Sequence, residues 1–334
     1  YRSYDITDIG AELNVAFVLE GSVRKVEDKI RITAQLIDAK TGDHIWAEIY
    51  DGEYSDRIFE FQSRTARNIA TSLNAIITPD EEKRINRTPT EHILAYDLSL
   101  KGNEYLSSWE FTKDSTKLML ANIFAAEALQ IDPEYIGAMD LKARCSMYKG
   151  NYDSALYFYD RISQIDPTHY LGYSGKGHLY MLYLNDVDSA FKYLVKGIQL
   201  APNNPWTNLT LAQIYGGIKN DVIRALPFFE RAYELDGESS SVINFQIASA
   251  MASIGDYPSA LKYMKTAMDI RKECVLVGNY SYLLICQTDY DAAVQFLDSI
   301  CPKSQCEKIC IRQKFVIAMI QGNIEQAEDY YHMA

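Results

Sequence analysis

Alanine returns at a nearly fixed interval along most of the chain, each time midway through an amphipathic stretch. The positions are Ala121, Ala155, Ala190, Ala225, Ala260, Ala293 and Ala327, at successive spacings of 34, 35, 35, 35, 33 and 34. The companions keep phase: Gly150 and Tyr152, Gly255 and Tyr257, and Gly322 precede the alanine, while Asp132-Pro133, Asp166-Pro167 and Ala201-Pro202 follow it. This period suits two antiparallel helices and their turns. Glycine stops an A helix through a left-handed residue, proline stops a B helix, and the alanine within the B helix lets the A helix come close. Gly177-His-Leu-Tyr180 and Gly102-Asn-Glu-Tyr105 carry the small-to-aromatic spacing of A helices. A single hairpin cannot bury its apolar face, so such units stack.

Residues 1–90 follow a different rhythm. Residues 29–38 alternate Ile30, Ile32, Ala34 and Leu36 with Arg31, Thr33 and Gln35, and residues 44–50 alternate Ile45, Ala47 and Ile49 with Trp46 and Glu48. With the Val- and Phe-rich residues 16–25, they predict three strands. Turns at Glu27-Asp28 and at residues 40–43 make these an antiparallel meander with one polar face carrying Arg31, Gln35 and Trp46. Trp46 reads as a packing residue of the sheet. Residues 5–13 predict a short helix with an acidic start. Residues 58–77 predict a longer one whose stripe of Phe59, Gln62, Ala66, Ile69, Ala70, Leu73 and Ile76 packs across the sheet.

The 34-residue pattern resembles the tetratricopeptide repeat (TPR) family over residues 92–334, with residues 106–117 lengthening the first turn. Asn185-Asp186 and Lys219-Asn220 replace the usual turn glycine, and the turns should still form because Asn and Asp tolerate left-handed geometry. The resemblance implies an all-α superhelix, an α–α solenoid of about six to seven hairpins, after an α+β module. That module is itself similar to the TolB-like domain found ahead of TPRs in bacterial regulators. The likeness rests on Val18-Leu-Glu-Gly-Ser-Val-Arg24, Arg31-Ile-Thr-Ala-Gln-Leu-Ile-Asp38, Thr41-Gly-Asp-His-Ile-Trp-Ala-Glu48 and Tyr50-Asp51. Its usual opening strand and helix are missing, so the unit reads as incomplete and the chain as a piece of a larger protein. The expected division is 1–78 for the partial TolB-like domain, 79–91 for a charged, proline-bracketed linker and 92–334 for the repeats. Residues 95–102 should form the helix that caps the solenoid and joins it to the module. In such regulators the pair follows a DNA-binding or class III adenylate cyclase domain, often across a membrane helix. The resemblance therefore implies a regulatory context and no chemistry.

Composition narrows the function classes. With 48% hydrophobic and 23% charged residues, 334 residues can bury a sizeable core, and the net charge of −12 argues against direct nucleic-acid binding. No apolar run is long enough to span a bilayer, so membrane contact would come only through a helix outside this sequence. No phosphate loop, nucleophile elbow, dinucleotide fingerprint or zinc-protease motif occurs, and the five histidines are scattered. No catalytic residue, cofactor or metal is expected. Cys145, Cys274 and Cys286 read as small core residues. Cys301, Cys306 and Cys310 read as free thiols, ahead of a disulfide across the Cys301–Cys306 turn or a zinc site.

What remains is a surface. The resemblance implies that A helices line a concave wall, and their phase selects Asp140, Arg144, Ser174, His178, Met181, Gln213, Phe245, Ser249 and Tyr282. This mixture of polar and aromatic groups suits a peptide or protein segment, with Arg144 receiving a carboxylate. A plain solvated wall is the competing reading. Two functions stay open: a sensory and regulatory module of a larger signalling protein, or a freestanding scaffold. Either an extracytoplasmic or a cytoplasmic location is compatible.

Overall fold

Five residues ahead of each spine alanine from Ala155 onward, the backbone of the computed structural model turns left-handed. The structure describes residues 5–12, 15–27, 29–55, 57–75, 77–237, 240–271, 273–300 and 306–333. Gly150, Asn185, Asn220, Gly255, Thr288 and Gly322 have φ of 78, 52, 51, 81, 63 and 73°. The asparagines thus do the work of glycine, as expected. A β-branched threonine does it too, at a cost of about 1–3 kcal/mol in backbone strain.

The next position caps the following helix. Asp186, Asp221, Asp256, Asp289 and Asn323 accept the backbone N–H of Ser189, Arg224, Ser259, Ala292 and Gln326 at 3.0–3.3 Å. The side-chain hydrogen bonds from Ser189 and Ser259 hold the Asp186 and Asp256 carboxyls below their usual range. This periodic Asn/Asp is a second repeat signal, one residue after the glycine signal.

Fourteen helices follow the N-terminal module among the described residues. They are α4 (Ile93–Thr112), α5 (Ser115–Ile131), α6 (Ile136–Tyr148), α7 (Tyr152–Ile165), α8 (Leu171–Leu179) and α9 (Val187–Leu200). Then come α10 (Pro205–Gln213), α11 (Val222–Asp236), α12 (Ser241–Ser253), α13 (Tyr257–Ile270), α14 (Cys274–Cys286), α15 (Tyr290–Ile300), α16 (Glu307–Ile320) and α17 (Ile324–Met333). Even-numbered helices are the A members of the pairs. In α8 and α10 the last turn widens to a π-helix, Tyr180–Leu184 and Ile214–Ile218. The B helices α5, α7 and α9 stop immediately before Asp132-Pro133, Asp166-Pro167 and Ala201-Pro202. One expectation fails: residues 106–112 do not lengthen a turn but continue α4, which stops at left-handed Lys113.

By contacts the chain falls into two compact units, Tyr1–Ala155 and Leu156–Ala334. All seven spine alanines are at most 2% exposed. The closeness they allow is visible within the second unit, where a Cβ added to Gly216 of α10 would lie 3.4 Å from the methyl of Ala225. In the first unit a Cβ on Gly102 of α4 would meet the Ala121 carbonyl at 3.3 Å and collide with Leu141. Larger side chains at either surface would overpack the contact, at about 1–3 kcal/mol each.

The N-terminal module of the first unit holds α1 (Ile6–Glu12), β1 (Phe17–Val26), β2 (Lys29–Asp38), β3 (His44–Glu53), α2 (Arg57–Ser72) and α3 (Pro79–Ile85). The strands form the expected antiparallel meander in the order β1-β2-β3. Two details differ from the sequence reading. Trp46 pairs with Leu36, so it lies on the face opposite Arg31 and Gln35, while Ile45 and Ile49 are exposed. The reversal follows α2, which sets Phe61 against Tyr50 at 5.2 Å and ties Arg64 and Asn68 to Glu48. That helix buries Ile58, Phe59 and Phe61 and leaves Gln62 and Ala66 exposed, so its stripe is rotated from the expected one. Ile76 lies outside the described residues. Phe59 meets Tyr96 of α4 edge-to-face at 5.0 Å, and the Tyr54 hydroxyl donates to Asp97. α4 thus joins module and repeats, and α3 is held to α2 by Arg67–Glu82.

The cysteines require the largest correction. Cys274 and Cys306 form a disulfide between the starts of α14 and α16, with their Cα atoms 5.1 Å apart. Cys310 is also disulfide-bonded, so neither Cys306 nor Cys310 offers a thiolate to zinc. Cys301 lies outside the described residues. The sequence reading weighed Cys306 only against Cys301 and Cys310 and left Cys274 as a core residue, whereas a separation of 32 residues is close to one repeat and brings the start of α14 beside the start of α16. Cys145 and Cys286 are free, and burial pushes the Cys145 thiol up to about 11.

Two outcomes follow from these turns and bonds. Thr288→Gly should raise stability by about 1 kcal/mol in a urea melt and Gly150→Ala should lower it by a similar amount, since no neighbour lies within 4 Å of a Cβ at Gly150 and the effect there is conformational. Alkylation in denaturant without reductant should label Cys145 and Cys286 but not Cys274, Cys306 or Cys310, as read by peptide mass spectrometry. A reductant should expose the bonded three and destabilise the second unit by about 2–4 kcal/mol.

Candidate functional site

The nine wall residues occupy A helices, and their surroundings separate them. In the first unit Asp140 and Arg144, one turn apart on α6, come within 3.9 Å. Arg144 also donates to Asn103 Oδ1 at 3.2 Å and Glu110 Oε1 at 3.3 Å, both on α4. Tyr148 donates its hydroxyl to the same Glu110 oxygen at 2.8 Å and packs against Trp109 with the rings tilted and their centroids 4.5 Å apart. Burial raises the Asp140 carboxyl above its usual range, with Arg144 pulling the other way.

Arg144 is therefore a built-in cation, spoken for by two carboxylates and an amide. An incoming carboxylate would have to displace one of them. Glu110 is not legible from a sequence in which residues 106–117 read as a turn, and Asn103 and Tyr148 carry no signal in the repeat pattern that marks them as partners of Arg144. Once α4 is seen to run to Thr112, Asn103 and Glu110 stand two turns apart on one face.

In the second unit Ser174 is 3% exposed, packs against Gly197 of α9 and donates its hydroxyl to the Tyr170 carbonyl, so it faces inward. Met181 packs on the core cluster of Ala190 and Leu194. Phe245 packs on the cluster around Ala248 and Ala260, and Ser249 donates back to its carbonyl at 2.9 Å. Gln213 is half-buried on α10. Tyr282 is 56% exposed, and a hydrogen bond with Cys286, ahead of the charge interaction between the two, raises its phenol above the usual value. His178 is half-buried, and its Nε2 faces the Trp206 carbonyl at 3.4 Å, linking α8 to the start of α10. Burial lowers the His178 imidazole to about 4, the carbonyl opposing. Ser249 and Tyr282 present the most open polar groups of this set, while His178 and Gln213 are half-covered.

Among the described residues, no group of three or more His, Cys, Asp or Glu side chains could hold a metal ion, and no helix is long and apolar enough to cross a membrane.

With that geometry in place, the chain can be set beside known proteins. No protein-family model matches it. The crystal structure of PilW, a widely conserved type IV pilus biogenesis factor, superposes with a TM-score of 0.51 at 16% identity over 59% of this chain and 91% of that one. The Cut9–Hcn1 hetero-tetramer of APC/C superposes with a TM-score of 0.52 at 15% identity, over 77% of this chain and 54% of that one. The helical part has the tetratricopeptide-repeat fold. In sequence, the chain is 36% identical over 132 residues to "Putative adenylate cyclase 3" of Rhizobium meliloti (strain 1021). This stretch is 40% of the chain and 22% of that protein, so the chain spans well under half of the relative's length.

The pH response isolates His178. The unfolded chain holds the imidazole proton up to about 6.5, and the folded one releases it at about 4, so between these values the unfolded state binds more protons. The histidine's contribution is fully present above about pH 6.5 and is lost as pH falls toward 4. Urea midpoints measured across that window should fall for the parent and fall less for His178→Gln.

Proposed function

We propose that this chain is the non-enzymatic, partner-binding part of a larger regulatory protein, in which A-helix residues of the second unit capture a peptide or protein segment. The observation that carries the reading is the contrast along those helices. Positions turned to the spine are aliphatic or alanine and fully buried, such as Leu211, Ile214, Ile243 and Ala248. The helix faces away from the spine keep His178, Gln213, Ser249 and Tyr282 accessible in part or in full. A helix needs no aromatic or amide groups there for packing, and such groups are the ones that hold extended segments.

The regulatory context is favoured over a freestanding scaffold by the relative named as an adenylate cyclase, which matches only a fraction of its own length. The proposed division keeps a partial TolB-like domain at 1–78, a linker at 79–91 and repeats at 92–334. Arg144 is not assigned to a partner carboxylate, because Glu110 and Asp140 already occupy it.

Binding spread over neighbouring helices implies several modest contributions. On an array of short peptides, Tyr282→Ala, Gln213→Ala and His178→Ala should each weaken retention of the same peptides by about threefold to tenfold, or about 0.7–1.4 kcal/mol, and the losses should multiply when combined. Lys196→Glu, an exposed change on the B helix α9, should leave the pattern intact. Wall variants that retain the parent's pattern at unchanged melting temperature would remove this face from consideration.

A further inference from the structure

Helices α11, α12 and α13 of the second unit leave a cleft of about 440 Å³ between them. Glu230 and Glu234, one turn apart on α11, border it, and none of the residues lining it is basic. Tyr233 and Tyr263 meet there edge-to-face with ring centroids 5.4 Å apart, and Phe229 and Met251 add apolar surface. Two carboxylates at this spacing repel each other on a helix. Arg231 relieves Glu234 from one side at 2.7 Å while its other nitrogen is held by Asn203 at 2.5 Å. Glu230 makes no ion pair among the described residues. The site is thus negative, aromatic and apolar together. Burial raises the Tyr263 phenol, with Tyr233 and then Glu230 adding to the effect. The Tyr263 ring already attracts one cation, the Lys262 ammonium 5.9 Å from its centroid, which is not part of the lining.

An anion finds no positive charge here and two carboxylates against it, and an uncharged apolar group would strand the Glu230 carboxylate. A cation with an apolar stem satisfies both halves: methylenes cover Phe229 and Met251, and the charged head meets carboxylate and ring. Of the biological cations, the planar guanidinium answers best, since it can bond a carboxylate through two parallel N–H groups and lie flat on a tyrosine. We propose that this cleft receives the arginine side chain of a peptide or protein partner, between Glu230 and Glu234 and against Tyr263. The site uses the B helices α11 and α13 with Ile247 and Met251 of α12, and none of His178, Gln213, Ser249 or Tyr282, so it can be tested apart from the A-helix wall.

The test is fluorescence anisotropy with a labelled short peptide carrying two arginines between leucines, and with its citrulline counterpart, which keeps the shape and loses the charge. The parent chain should bind the arginine peptide and bind the citrulline peptide about tenfold more weakly, with added salt narrowing the difference. Glu230→Gln with Glu234→Gln should weaken arginine binding by about the same factor, with the melting temperature checked because the two side chains are exposed. Lys196→Glu, outside both surfaces, should leave it unchanged. Equal binding of the two peptides, or an unaffected glutamine double variant, would overturn the assignment. So would a loss confined to Tyr282→Ala, which would transfer the contact to the wall.

Discussion

The close approach of two helices at a buried methyl is the constraint on which this chain depends. Ala155, Ala190, Ala225, Ala260 and Ala293 are fully buried, and every other element of the pair is arranged to let them be so. A left-handed residue ends the A helix, an Asn or Asp side chain starts the B helix, and the small residue then arrives one turn later, where the A helix passes over it. None of the three devices is strong alone. A cap is worth about 1 kcal/mol, and a left-handed glycine about as much. Their force comes from repetition in register, each pair presenting its neighbours with a surface of the same shape.

This explains which parts of the fold could be read from residues. The spine, the turn glycines and the stopping prolines recur, and a recurring signal survives local exceptions such as Asn185 and Asn220. The N-terminal sheet was legible in its strands and their order, because alternation is a property of each strand taken alone. Which face α2 would cover was not. Ile45, Ala47 and Ile49 look like inward residues, yet Glu48 and Tyr50 face the helix because Arg64, Asn68 and Phe61 offer them polar and aromatic partners. Hydrophobicity gave the periodicity correctly and the direction wrongly. The Cys274–Cys306 bond is a different case: its separation of 32 residues is close to one repeat, which sets the starts of α14 and α16 side by side, so the period already held the pairing that the short spacing of Cys301, Cys306 and Cys310 obscured.

The candidate site was legible as a list of positions and not as chemistry. Phase put Ser249 and Tyr282 on accessible faces, but it also admitted Ser174, whose small side chain lets α9 pack closely at Gly197. Arg144 reads from the sequence as a receptor for carboxylates, but it already has two, Asp140 one turn away on α6 and Glu110 across on α4. The Glu230 cleft went unseen because it is made by side chains from three helices, none of which carries a motif.

The seam at Phe59 and Tyr96 bears on how this chain could be divided. A repeat boundary drawn from the sequence pattern lies between the sheet and α4, yet the apolar side chains on either side of it cover each other: Ile30, Ile58 and Phe59 from the module, Ile93 and Tyr96 from the first repeat helix. A fragment beginning at α4 would leave one half of that cluster in water, and a fragment ending before it would leave the other. The border between two motifs is here the interior of one folding unit, so truncation at the motif edge removes a core and not a tether.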